Sequence, residues 1–324
     1  MLKAMRKAKK AAKALAKFKR REYQKQITDF IIRHPRCNIW ATMGAGKTGS
    51  VLWVLNYLFQ SGELDEDEDK VVILAPVRVA SGTWPMEGKK FSFPALRAVD
   101  GTGTAQQRIA ALEALEAGAN VLCINYENIE WLIEYYGGAK RWPFKVIVAD
   151  ESTRLKSFRT KQGARRAKAL GTVAHLKIVK YFINLTGTPS PLGLKDLWGQ
   201  CWFVDGGKSL GTSYTAFTER WFINRPTPGA ASRFAMTSTL LDGSEQEIYD
   251  AVQPYSLTID AAEFFGVDKP NFINIGVDLP AKARRIYKEM EDNFIVELKT
   301  ILDEGGTLEA ANAAAKSAKC LQIA

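Results

Sequence analysis

The sequence predicts an α/β domain built on a central parallel sheet, followed by a mostly helical appended segment. Three observations carry that expectation. Between residues 36 and 190, short β-branched runs alternate with helical stretches, the signature of βαβ units. Most of the runs are nearly continuous in apolar residues, as strands covered on both faces must be. Polar and glycine-bearing segments follow the runs directly, and open parallel sheets bind ligands at the carboxyl ends of their strands.

The expected strands are Asn38–Ala41, Val71–Ala75, Leu96–Val99, Val121–Ile124, Val146–Ala149 and Tyr181–Leu185. Helical candidates between them include Thr48–Phe59 and Ala105–Ala117, and the acidic stretch Ser61–Lys70 reads as an exposed connection. After Pro191 the texture changes. Gly, Pro and aromatic residues dominate Gly193–Pro228, followed by helical stretches at Ala281–Ile301 and Leu308–Leu321, with Asn271–Val277 a candidate strand. The expected division is therefore residues 1–20, 21–202 and 203–324.

Composition bounds the function classes. The 324 residues are 46% hydrophobic and 25% charged, ordinary values for a globular protein. No apolar run approaches the roughly 20 residues needed to span a bilayer, so no membrane-spanning segment is expected. The four cysteines (Cys37, Cys123, Cys201, Cys320) lie far apart, which argues against a zinc site or disulfide framework and suits a reducing cytoplasm. Only His34 and His175 are available for histidine chemistry.

The net charge of +10 is local. Met1–Arg21 holds ten basic residues and no acid, so the rest of the chain is neutral overall. Leu2, Met5, Ala8, Ala12, Leu15 and Phe18 recur at helical spacing within it, which reads as a basic amphipathic helix. A solvated helix leaning on the body, phosphate-backbone contact and membrane-surface binding are its alternatives.

Ala41-Thr-Met-Gly-Ala-Gly-Lys-Thr48 matches the phosphate-binding loop G-x-x-x-x-G-K-[ST], with alanine at the first glycine position. Gly44 and Gly46 let backbone N–H groups of the Met43–Thr48 turn, Ala45 included, face the phosphates. Lys47 neutralises the β- and γ-phosphates, Thr48 places its hydroxyl on Mg²⁺, and the following helix points its positive end at the anion. Val146-Ile-Val-Ala-Asp150-Glu151 supplies the second half: Asp150 reaches the metal and Glu151 polarises the attacking water. Leu185-Thr-Gly-Thr-Pro189 follows a third strand, and Thr186, Gly187 and Thr188 can couple the ATP site to whatever the protein grips. The expected class is a RecA-like P-loop NTPase domain using ATP and Mg²⁺.

With these motifs in order, the chain resembles the first motor domain of a superfamily 2 helicase or translocase of the Swi/Snf-like branch, densely over Arg21–Trp202. Arg21-Glu-Tyr-Gln24 resembles the family's R-x-Y-Q element, which implies that Gln24 reads the adenine. Pro76–Trp84 with Glu87 and Phe91 resembles the family's P…W…E…F segment, which implies DNA-backbone contact by Arg78, Ser81 and Trp84; core packing is the alternative for Trp84. Asn125-Tyr126-Glu127 resembles a further DNA-tracking motif. Asp150-Glu-Ser-Thr-Arg154-Leu-Lys156 with Thr160-Lys161 follows the family's D-E-A-H-R-x-K…S/T-K pattern, adding Arg154, Lys156 and Lys161 to the implied DNA contacts. Ser152-Thr153 stands where the family has A-H, which removes a coupling histidine.

Arg154–Lys168 carries seven basic residues and no acid, the best candidate in the body for phosphate contact, with a solvated helix face as the alternative. The implied activity is an ATP-dependent translocase on double-stranded DNA. A strand-separating helicase, the motor part of a nuclease system, or a non-hydrolysing ATP-gated DNA-binding module are the alternatives. Cys320-Leu-Gln-Ile-Ala324 resembles the sequence that precedes the family's second motor domain, and these 324 residues contain no Q-x-x-R-x-x-R helix. The expectation is thus a first lobe alone, with the second RecA-like lobe absent as a missing partner, weak or inactive by itself. A nuclease or other nucleic-acid-processing protein is a further candidate partner, and the cytoplasm of a prokaryote or phage-infected host the expected location.

Overall fold

The structure is a computed structural model that describes residues 19–158, 165–226, 236–260, 276, 278–290 and 292. The N-terminal basic helix, Lys161, the Asn271–Val277 strand and the Leu308–Leu321 helix of the sequence reading lie outside them, apart from isolated positions.

In chain order the first compact unit contains α1 (Glu22–Arg33), β1 (Arg36–Ala41), α2 (Lys47–Ser61), β2 (Lys70–Ala75), α3 (Trp84–Phe91), β3 (Ala98–Asp100), α4 (Ala105–Glu116), β4 (Val121–Asn125), α5 (Ile129–Tyr135), β5 (Phe144–Asp150), α6 (Arg165–Gly171), β6 (Tyr181–Thr186), α7 (Lys195–Asp205) and α8 (Tyr214–Trp221). It is completed by α9 (Ser244–Val252) and β9 (Ser256–Ile259). Seven strands form one sheet in the order β3-β4-β2-β5-β6-β1-β9, with every pairing parallel.

The strands are the expected ones because their burial leaves no polar face. Residues of β2, β4, β5 and β6 are almost all below the solvent-accessible level. Continuous apolar runs suit a sheet covered by helices on both sides. The helices supply the cover through their own periodicity: α1 buries Tyr23, Ile27 and Ile31, spaced four apart, and α2 buries nearly its whole length. Truncating one of these core side chains to alanine costs about 2–5 kcal/mol, depending on how far the cavity collapses.

Three details differ from expectation. The third strand is Ala98–Asp100 rather than Leu96–Val99, because its pairing with Val121–Cys123 sets the limits. Ser256–Ile259, expected in a mostly helical segment, is instead a parallel edge strand beside β1. A four-residue run carries no periodicity, and only its pairing with Asn38–Ala41 makes it a strand. The chain therefore returns to the sheet after Leu241, and the first unit does not end near residue 202.

The second unit comprises residues 222–240 and 268–324. Within it, β7 (Phe222–Pro226) and β8 (Met236–Leu240) form an antiparallel pair, and residues 281–290 are helical.

The sheet register aligns the strand ends. Asp150 lies beside Leu185, Trp40 beside Thr186 and Ala41 beside Ile259. Since β6 sits between β1 and β5, the Thr186–Thr188 turn emerges between the phosphate-loop sequence and the Asp-Glu pair.

Candidate nucleotide site

The turn from β1 into α2 is built on two left-handed glycines, Gly44 at φ 81° and Gly46 at φ 67°. Gly46 is required twice over. A Cβ there would strain the backbone and would meet the Gln24 side-chain nitrogen at 2.3 Å. Gln24 itself is fixed from the other side, its Oε1 accepting the Arg21 N–H at 2.9 Å as α1 begins. The implied adenine reader thus reaches the loop from a helix start rather than from the sheet. Helix α2 has no side-chain cap, which leaves its first-turn N–H groups for an anion.

Lys47 Nζ donates to the Ala41 carbonyl at 2.6 Å and the Thr42 carbonyl at 3.3 Å. Burial lowers its pKa, an effect opposed by the nearby charges of Asp150 and Glu151. That triple coupling places ammonium and carboxylates in one site. Ala45 is buried, Thr48 is half-buried at the start of α2, and Met43 is 87% exposed. Gly187 closes the loop from the β6 side: a Cβ on it would lie 3.4 Å from the Ala41 carbonyl oxygen. Thr186 is buried, its hydroxyl oxygen accepting the Thr188 N–H at 3.1 Å.

Asp150 is 8% exposed, and each of its polar atoms is engaged. Oδ2 accepts the Trp84 indole N–H at 2.9 Å, Oδ1 accepts the Glu151 N–H at 3.1 Å, and its carbonyl accepts the Tyr126 hydroxyl at 2.8 Å. Burial raises its pKa to about 6, the Trp84 bond pulling the other way. Glu151 adopts a left-handed backbone at φ 56°, a conformation rare for a side chain with a Cβ and concentrated at functional sites.

The residues next along form a buried relay that the sequence did not signal. Ser152 Oγ donates to Gln200 Oε1 at 2.8 Å, while Gln200 Nε2 donates to the Pro189 carbonyl at 2.6 Å and the Asp196 carbonyl at 2.9 Å. One glutamine on α7 therefore joins the turn after Glu151 to the end of the Thr186–Thr188 turn. Gly199 beside it lets α7 press on that turn; a Cβ there would stand 2.5 Å from the Leu155 carbonyl oxygen. Gln200 lies four residues after Asp196, a helical spacing visible in sequence, but nothing there ties it to Ser152.

The implied nucleic-acid contacts divide. Arg78 and Ser81 are exposed after β2. Trp84 and Tyr126 are 0% and 1% exposed, so neither can touch a phosphate, and the expectation for both is corrected: their polar atoms are turned inward onto Asp150. Asn125 is buried and donates to Glu127 Oε2 at 2.9 Å, which likewise turns it from solvent. Arg154 pairs with Glu127 at 3.0 Å and Lys156 with Asp196 at 3.1 Å. Among the described residues no cluster of His, Cys, Asp and Glu could hold a metal by itself. Thr48 and Asp150 are the groups that could share an ion with a phosphate.

A parallel sheet with a phosphate loop, a buried strand-end aspartate and a neighbouring glutamate defines a RecA-like P-loop NTPase lobe. Within that class, the chain belongs to the SNF2-related domain family, which matches residues 23–240.

It is 45% identical over 95% of its length to protein p41 of Acyrthosiphon pisum secondary endosymbiont phage 1, covering 64% of that protein. It is 26% identical over 66% of its length to the DNA excision repair protein ERCC-6-like of Danio rerio, covering 14% of it. Among solved structures it is similar to the Sulfolobus solfataricus SWI2/SNF2 ATPase core in complex with dsDNA, at TM-score 0.56 and 22% identity, covering 95% of this chain and 58% of that one. The chain thus spans less than two thirds of these relatives. No helix among the described residues is long and apolar enough to cross a membrane.

Proposed function

We propose that this chain is the first motor lobe of a DNA-dependent ATPase that moves along double-stranded DNA through backbone contacts. One observation carries the reading: in a chain of the SNF2-related family, β1, β6 and β5 lie side by side and deliver Lys47, Gly187 and Asp150–Glu151 to one sheet edge. The archaeal structure similar to this fold holds dsDNA, which supports the choice of partner.

In this reading the loop amides and Lys47 receive the phosphates of ATP, with Lys47 exchanging its bonds to Ala41 and Thr42 for phosphate oxygens. Mg²⁺, when bound, neutralises charge developing on the transferred phosphoryl group. Thr48 and Asp150 would hold it. Glu151, oriented by its N–H bond to Asp150, polarises the attacking water. Gln24 binds the base, and the Gln200 relay carries the state of the Glu151 turn to Thr186–Thr188. The arginine fingers belong to a second lobe; they are worth roughly 10³–10⁵ in rate for P-loop enzymes. The site of action is the cytoplasm of a prokaryote or infected host.

The test is steady-state ATPase of the full-length polypeptide with and without duplex DNA. Duplex should stimulate turnover, Lys47→Ala should lose ATP binding, and Glu151→Gln should bind ATP without hydrolysing it. Absence of stimulation by any nucleic acid would overturn the translocase reading, and strand displacement would replace it with a helicase.

A further inference from the structure

Two buried aromatic side chains end on one aspartate, and nothing in their packing requires it. Trp84 reaches Asp150 Oδ2 through its indole N–H and Tyr126 reaches the Asp150 carbonyl through its hydroxyl. Phenylalanine would fill much of the same space at either position, so the donors serve Asp150 rather than the core. Trp84 belongs to a segment with exposed basic residues, and Tyr126 to a turn whose exposed residue, Glu127, pairs with Arg154.

Trp84 follows a π-helical turn, Val79–Thr83, a form that weakens the backbone and gathers at functional sites. Around that turn Arg78, Lys89 and Lys90 are exposed. Tyr126 opens a 3₁₀ turn after β4, with the Arg154 guanidinium 5.8 Å from its ring centre. Strands β4, β2 and β5 are consecutive in the sheet, so both segments lie on one side of the strand that carries Asp150. A phosphate backbone drawn to Arg78, Lys89 and Lys90 would load the Trp84 segment directly and would press on the neighbouring Tyr126 turn through β2.

We propose that Trp84 and Tyr126 are positioning residues that hold Asp150 at its carboxylate and at its carbonyl and transmit occupation of a phosphate backbone to the ATP site. The inference rests on the ATP-site reading above. Binding linkage makes the effect reciprocal: duplex that favours one placement of Asp150 changes Mg·ATP affinity, and Mg·ATP changes duplex affinity by the same factor.

The experiment measures the affinity of a fluorescent ATP analogue with Mg²⁺, with and without a saturating short duplex of arbitrary sequence. Wild type, Trp84→Phe, Tyr126→Phe and Lys47→Ala are compared, with metal-free nucleotide and nucleotide-free duplex binding as controls. We expect duplex to change wild-type Mg·ATP affinity by about fivefold or more, in the range of ordinary coupling energies. In both Phe variants that factor falls towards one while the two control affinities stay within about twofold of wild type.

Variants that keep the wild-type factor overturn the inference. If Trp84→Phe loses metal-free binding through misfolding, Tyr126→Phe, which removes a single oxygen, decides alone. Wild type that binds Mg·ATP through Lys47 but shows no duplex effect overturns the inference and spares the ATP site. Wild type that does not bind Mg·ATP overturns the underlying reading itself.

Discussion

Two basic regions flank the Asp-Glu strand, and they differ in what surrounds their charges. After β2, Arg78, Lys89 and Lys90 are exposed, and none makes an ion pair among the described residues. After β5 the acid-free run looked stronger in sequence, yet four of its seven charges are paired among the described residues. Arg154 and Arg166 share Glu127, Arg165 pairs with Glu130, and Lys156 pairs with Asp196. An acid-free segment is a statement about one stretch of chain; the acids arrive from α5, α7 and the turn after β4. Surface pairs contribute little to stability, about 0–1 kcal/mol each, but they lower the field that a phosphate would meet.

The largest expected effect probes how the second region is held. Gly199→Ala should lower unfolding free energy by roughly 3 kcal/mol, because the new Cβ meets the Leu155 and Lys156 carbonyls at 2.5 and 2.6 Å. A helical glycine without such neighbours would gain about 1 kcal/mol on the same change. Urea denaturation reads the sign directly, and a stabilised variant would mean that α7 does not press on the 152–156 turn.

Next comes the aspartate between the two regions. Its folded pKa, about 6, lies above the ordinary 3.8 because burial penalises the carboxylate. A raised acid favours the fold below pH 3.8 and loses that contribution as pH rises through 6. Asp150→Asn in EDTA should therefore gain on the order of 1–3 kcal/mol at pH 8. Its thermal melting should converge with wild type near pH 4. An equal gain at both pH values would assign the effect to packing.

Duplex binding separates the two basic regions. Arg78→Glu should weaken nucleotide-free duplex binding about tenfold at low salt and flatten its salt dependence. Arg154→Ala should change affinity by less than about threefold, since its charge is already neutralised by Glu127. Equal losses would show that the ion pairs open for DNA. The smallest effect sharpens the point: Glu127→Gln releases Arg154 and Arg166 and should strengthen duplex binding by about twofold to fivefold, at nearly unchanged stability.

The parallel sheet was legible because its strands are continuous apolar runs, and the ATP site because its turn needs glycines at fixed offsets from Lys47. Gln24 was legible only by resemblance; its contact with Gly46 depends on how α1 crosses the loop. Ser256–Ile259 was not legible, since four residues hold too little pattern to distinguish an edge strand from a turn. Trp84 shows the same limit at a single residue. Its place in a P…W…E…F segment marked it, but an indole serves equally to grip a backbone, fill a core or bind a carboxylate.

By itself the sequence determined the α/β class, the phosphate loop at Met43–Thr48 and the Asp150–Glu151 pair, because local backbone needs and strand-end placement dictate those residue types. The tertiary structure alone decided which polar groups face one another. It turned Trp84 and Tyr126 inward onto Asp150, joined Ser152 to Pro189 through Gln200, and neutralised much of the basic run with acids from other elements. Partners that meet across the fold are set by sheet order and helix packing, which place residues tens of positions apart within a hydrogen bond's length.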